Sequence, residues 1–129
     1  CLADPPGAAL YNYYANGKLM TEGSSITEGI GQGRITDNLS DIEIDKAYLI
    51  PDQETIDVMF RLTHEEGLFL GSSSGINVAA SMKLAKEMGP GHCIVTILCD
   101  SGTRYLSKLY NPDFLESKGL LFPQWLTRL

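Results

Sequence analysis

From residue 45 onward short apolar segments alternate with helix-forming stretches, and this alternation limits the possible folds more than any other feature. Ala47-Tyr48-Leu49-Ile50 reads as a strand. Pro51-Asp52 breaks it, with Asp52 as N-cap of a helix over Gln53 to Glu66. Ile56, Met59, Phe60 and Thr63 recur at helical spacing, and Gly67 stops that helix as a left-handed cap. A second strand, 68–70, leads through Gly71-Ser72-Ser73-Ser74-Gly75 into a helix from Asn77 to Met88, ended by Gly89-Pro90-Gly91. His92 to Leu98 is a nearly continuous apolar run, the pattern of a strand buried in a parallel sheet. Two strand–helix–strand units in succession call for right-handed crossovers and a parallel sheet.

The flanks are less regular. Ala8 to Tyr14 fits either strand or helix, Ile26 to Thr36 is a glycine-rich loop, and Asp100-Ser101-Gly102-Thr103 caps a short helix over Arg104 to Tyr110. The apolar tail, Phe122 to Leu126, is expected to pack on a neighbouring surface or a second subunit. There is no internal repeat and no domain boundary after residue 45.

The serine turn is the main candidate for chemistry. Strand, turn and helix in that order put it at the carboxyl end of a strand, where open α/β sheets bind ligands. Glycines allow close backbone approach, and the hydroxyls add to the free N–H groups of a helix start. The pattern suits a small polar or anionic molecule without naming it. A structural helix cap is the plain alternative. A nucleotide or sugar-phosphate turn is the chemical rival, without a GxxxxGK[ST] to support it.

Composition narrows the classes. The chain has 129 residues, 43% of them apolar, enough for one core. Its net charge of −6 and scattered basic residues argue against nucleic acid. No apolar run approaches the roughly 18 residues of a membrane span. The opening Cys1-Leu2-Ala3-Asp4-Pro5-Pro6 reads as the middle of a longer protein. Cys93 and Cys99 flank an apolar strand and are expected as buried thiols; with Cys1 they make an odd count that suggests a reducing compartment. His64, His92 and the acidic residues Asp37, Asp41, Glu43 and Asp45 lack metal-ligand spacing, so no metal site is expected. Tyr11, Tyr13 and Tyr14 are expected to pack inward more than to form a contact surface.

Three segments occurring in order carry a resemblance: Glu28-Gly29-Ile30-Gly31, Gly71-Ser72-Ser73-Ser74-Gly75 and Asp100-Ser101-Gly102-Thr103-Arg104-Tyr105-Leu106. With Ile76-Asn77-Val78-Ala79-Ala80 they resemble the carboxyl-terminal part of a cysteine synthase (O-acetylserine sulfhydrylase), a fold type II enzyme that uses pyridoxal 5'-phosphate. The resemblance covers residues 1 to about 120; Ser81, where relatives commonly carry alanine, is a tolerated departure. It implies that Ser73 hydrogen-bonds the cofactor's pyridine nitrogen. A hydroxyl there, unlike a carboxylate, leaves the ring a weaker electron sink, which favours loss of a β-leaving group over transamination. It implies further that Gly29 lies over the bound substrate in a loop that moves as the cleft closes.

The family also needs a lysine that carries the cofactor, an asparagine loop for the substrate carboxylate and a glycine–threonine loop for the phosphate. None of Lys18, Lys46, Lys83, Lys86, Lys108 and Lys118 falls in the lysine motif, and no catalytic residue is assigned. The resemblance therefore implies an α/β, parallel-dominated open sheet with flanking helices, most of one domain of a two-domain enzyme. Residues 1–129 would be its carboxyl-terminal portion, without internal boundary and inactive alone. The whole enzyme would convert O-acetylserine and sulfide to cysteine and acetate, as a cytoplasmic homodimer with serine acetyltransferase as a partner. A cystathionine β-synthase-like enzyme and a non-catalytic truncated binding module stay open as alternatives.

Overall fold

A computed structural model describes residues 1–128. In order the chain forms β1 (Leu2–Asp4), α1 (Leu10–Asn16), α2 (Asp37–Ser40), β2 (Ala47–Leu49), α3 (Asp52–Glu66) and α4 (Ser72–Met88). A 3-10 turn (Gly102–Tyr105), α5 (Pro112–Ser117) and a second 3-10 turn (Gln124–Arg128) follow. The α/β class and the parallel pairing are as expected. β1 runs parallel to β2 in the register Leu2↔Ala47, Ala3↔Tyr48, Asp4↔Leu49. The sheet is narrower than anticipated, however, and β1 comes from the segment read as irregular.

α3 forms where its apolar spacing predicts, with Asp52 and Glu54 in the first turn, where carboxylates suit the positive helix end. Gly67 closes it with φ 69°, a left-handed conformation that costs glycine least. The N-cap is Pro51, not Asp52. Asp52 is drawn away because its carboxylate accepts the Ser25 hydroxyl and, at 3.0 Å, the Ile26 amide.

α3 packs on α4, and two apolar clusters flank the pair. One joins Ile56, Met59 and Phe60 of α3 with Tyr105, Leu109, Tyr110, Leu115 and Leu126. The other joins Tyr48 and Ile50 with Val58, Ile76, Ala79 and Ala80. The carboxyl tail thus packs on its own chain. Trp125 stands edge-on to Phe60 at 5.6 Å and stacks on the exposed His64 at 6.1 Å.

Further expectations change. Residues 92–98 are not a strand: they run free of any backbone ladder among the described residues, with Val95 86% and Ile97 66% exposed. An apolar run becomes a buried strand only when a partner supplies hydrogen bonds on its edge, and none is adjacent here. Cys93 and Cys99, expected buried with that strand, are consequently exposed, as is Cys1, and all three are free thiols. Segment 68–70 is reduced to one antiparallel bridge between Leu70 and Ser101. From Leu10 the segment Ala8 to Tyr14 resolves as helix α1, which leaves Tyr13 exposed and Tyr11 and Tyr14 half-buried. After Ser101, whose hydroxyl accepts the Thr103 amide, the chain makes a 3-10 turn instead of the anticipated helix over 104–110.

Among the described residues no helix is long and apolar enough to cross a membrane. Nor does any group of three or more His, Cys, Asp or Glu converge as metal ligands there.

Candidate functional site

The serines read as a turn are the first turn of α4 itself. Gly71 is the N-cap in extended conformation, so Ser72, Ser73 and Ser74 take the first three helical positions. No side chain caps this end, and the first N–H groups of a helix have no intrahelical partner. The seventeen-residue helix therefore offers amide donors and a partial positive charge at its start.

The three hydroxyls differ in surroundings. Ser74 is fully buried and its Oγ accepts the Cys99 amide at 2.9 Å. Ser72 is fully buried too, and its Oγ has no partner. Ser73 alone retains exposure, 6%. It is the hydroxyl of the three that a ligand can reach.

Asp100 closes one side of this helix start. Its backbone carbonyl accepts the Gly71 amide at 3.0 Å, and the Phe69 carbonyl accepts the Gly102 amide at 3.0 Å. Gly71 admits the close approach: a Cβ there would collide with the Asp100 carboxylate and lie 2.5 Å from Cε2 of Tyr105. The Tyr105 hydroxyl donates to Oδ2 of Asp100 at 2.8 Å, while Oδ1 is buried without a partner. Burial, then the neighbouring Asp100 carboxylate, raises the Tyr105 pKa, so the phenol keeps the proton it donates. The Tyr110 hydroxyl fastens Leu70 by donating to its carbonyl at 2.7 Å.

Gly29 lies in an exposed loop with φ 75° and open space around it. The adjacent Glu28 pairs with Lys108, which follows the Gly102–Tyr105 turn. A chain of contacts thus runs from the Gly29 loop through Lys108 and the 3-10 turn to Asp100 and the start of α4.

The lysines are occupied elsewhere or face solvent. Lys46 pairs with Glu87, Lys83 with Glu54 at 2.9 Å, and Lys108 with Glu28; Lys18, Lys86 and Lys118 are exposed.

The Asp100–Tyr105 pair was not legible as a unit from the sequence, although both residues stand in one quoted motif, five positions apart. Asp4 was missed altogether. It is 2% exposed, and its carboxylate accepts the Tyr11 amide at 2.9 Å, tying the end of β1 to α1.

Comparison with known proteins adds the chemistry. A family model described as pyridoxal-phosphate dependent enzyme matches residues 2–100. Cysteine synthase 1 of Neurospora crassa is 49% identical over 124 residues, covering 93% of this chain and 33% of the relative. Cysteine synthase 1 of Emericella nidulans is 50% identical over 123 residues, covering 92% and 33%. The chain spans about a third of the length of these curated relatives. A crystal structure of an O-acetylserine dependent cystathionine beta-synthase from Helicobacter pylori superposes with a TM-score of 0.71 at 34% identity, covering 81% of this chain and 32% of that one.

Proposed function

Because this chain belongs to the pyridoxal-phosphate dependent enzyme family, we propose that residues 1–129 are the carboxyl-terminal portion, without internal boundary, of a cysteine synthase. The whole enzyme would convert O-acetylserine and sulfide to cysteine and acetate. The observation that carries this is the reachable hydroxyl of Ser73 between two sealed serines at the start of α4.

The residues suit a neutral pyridine nitrogen. Ser73 Oγ–H can donate to it, and the positive end of α4 disfavours an added proton there. When bound, the cofactor withdraws electrons from the substrate's α-carbon, and an unprotonated ring does so weakly enough to favour β-elimination. Ser73 would thereby orient the ring through a hydrogen bond to its nitrogen and favour the unprotonated form. Asp100, held by Tyr105 and Gly71, fixes the height at which α4 begins. Gly29, with no side chain and open space around it, would leave room for the amino-acid substrate. With the six lysines paired or solvent-facing, the lysine that carries the cofactor and the phosphate loop would come from outside these residues.

The proposed whole enzyme is a homodimer with serine acetyltransferase as a partner. Three free, exposed cysteines support a reducing, cytoplasmic setting. The alternative reading, a cystathionine β-synthase-like enzyme, is supported by the likeness to the Helicobacter pylori structure.

The test is a chimera in which this chain replaces the matched third of the Neurospora crassa relative, assayed for cysteine from O-acetylserine and sulfide. Losing one hydrogen bond of about 1.4 kcal/mol, Ser73→Ala should lower kcat/KM about 10-fold. Its absorbance spectrum with bound cofactor should shift as well. An unchanged rate and spectrum in Ser73→Ala would remove Ser73 from the site.

A further inference from the structure

Asp52 opens α3 without capping it, and its carboxylate is engaged instead with the segment that leads into the Gly29 loop. One oxygen accepts the Ser25 hydroxyl and the other accepts the Ile26 amide at 3.0 Å. Ser25 Oγ in turn accepts the Thr27 amide at 3.0 Å and lies 2.8 Å from Thr27 Oγ1. Ser25, Ile26 and Thr27 thus leave α3 in one fixed direction, and Gly29 follows two positions later.

The far end of the loop is fixed as well. The Gln32 carbonyl accepts the Ala9 amide at 2.9 Å, and a Cβ on Gly31 would lie 2.9 Å from Cβ of Ala8. Ile26 and Ile30, both half-buried, pack on the two apolar clusters. The span between them lacks such support. Glu28 and Gly29 are exposed, a Cβ on Gly29 would meet nothing within 4 Å, and a cavity of about 460 Å³ opens beside Ser25, Thr27 and Glu28. The Glu28–Lys108 pair at that cavity is about half exposed, and ion pairs so exposed contribute little. The direction in which the span sets out therefore rests on the Asp52 carboxylate, whose charged hydrogen bonds are the stronger kind.

On the reading that Gly29 lies over the amino-acid substrate, we propose that Asp52 is a positioning residue for that loop. It acts through Ser25 and Ile26, holding Gly29 at the height the substrate requires. A loop in place for only part of the time weakens apparent affinity by the fraction lost and leaves the turnover of bound substrate alone. Releasing one charged hydrogen bond, worth about a factor of 10, should therefore appear in KM for O-acetylserine and not in kcat.

The chimera that carries this chain in the Neurospora crassa relative serves for the test, read by steady-state kinetics and hydrogen exchange. Asp52→Ala and Ser25→Ala should each raise KM for O-acetylserine about 10-fold, with kcat and the KM for sulfide within about 2-fold of the parent. Exchange should speed at least about 10-fold at Ile26 in the first and at Thr27 in the second. Asp52→Asn returns an acceptor for the Ile26 amide and a donor for Ser25 Oγ, so its KM should come back to within about 3-fold. A KM as high as that of Asp52→Ala would assign the effect to charge and overturn the positioning. Gln53→Ala controls for stability, since Gln53 Nε2 donates to the Leu121 carbonyl at 3.0 Å and Oε1 accepts the Leu121 amide at 2.8 Å. It should lower the melting temperature without moving KM. An equal rise of KM in Gln53→Ala overturns the proposal, as does an unchanged KM in Asp52→Ala and Ser25→Ala. In the parent chimera O-acetylserine should slow exchange at 28–31. If it does not, the reading of Gly29 falls and the proposal with it; if it does while both variants keep their KM, the proposal falls alone.

Discussion

Gly75→Ala tests how closely α3 and α4 pack beneath the candidate site. A Cβ at this position would lie 2.7 Å from Cγ of Met59, 2.8 Å from the backbone oxygen of Thr55 and 3.1 Å from Cγ2 of Thr55. Two opposing effects are set against each other. Alanine in a helix interior is favoured over glycine by about 1 kcal/mol. Overpacking a filled interior costs about 1–3 kcal/mol. Here the upper end applies, because one short contact is to the α3 backbone, which cannot swing aside like a side-chain tip, and Met59 is fully buried. The net is a loss of about 2 kcal/mol. With a urea slope of about 1.5 kcal/mol per molar, the midpoint should fall by roughly 1.3 M. The assay is urea unfolding followed by far-ultraviolet circular dichroism. Gly33→Ala is the control: that glycine has open space around it and no left-handed backbone, so its change should stay within about 0.5 kcal/mol. A Gly75→Ala chain as stable as the parent, or more stable, would refute the close approach of the two helices.

Two more substitutions address separate parts of the fold. Tyr110→Phe removes the hydroxyl that donates to the Leu70 carbonyl and should cost about 1–2 kcal/mol in the same urea assay; no loss would mean that Leu70 is held by its bridge alone. Burial raises the pKa of Asp4 above 3.8 against the lowering pull of the Tyr11 and Leu10 amides, so the folded chain binds that proton more tightly than the unfolded one. Stability from this site is fullest below 3.8 and is lost as pH rises through the higher folded value. Asp4→Asn should therefore gain on the parent as pH rises from about 3 to 7, read from urea midpoints across that range; a flat or falling difference would contradict the cost of burying the carboxylate.

Local signals were legible where the responsible residues are neighbours in sequence. The spacing of Ile56, Met59 and Phe60 and the glycine stops at 67 and 89 located both long helices. The start of α4 was misplaced because Gly71 serves as N-cap, which lets three serines enter a helix whose side-chain pattern alone begins at Asn77. Segment 92–98 failed for a different reason. Its apolar run reports what it could bury, whereas a strand exists only through a partner's backbone, and that information is not in the run itself. β1 was invisible for the converse reason: three residues before a Pro-Pro pair are too few to show a period, and β2, far along the chain, makes them a strand. At the site, Ser73 was named from a resemblance in its motif, but its distinction from Ser72 and Ser74 depends on the folded-back Cys99 and Asp100.

α3 turns Ile56, Met59 and Phe60 toward one cluster and Val58 toward the other. Asp57, Arg61, His64, Glu65 and Glu66 are exposed and free to vary, but the buried positions between Thr55 and Phe60 have little such freedom. Neighbouring positions there answer to different sets of partners, so substitutions at Val58 and Met59 perturb opposite sides of the molecule through a shared backbone. Their effects should therefore be coupled through that backbone and depart from simple additivity.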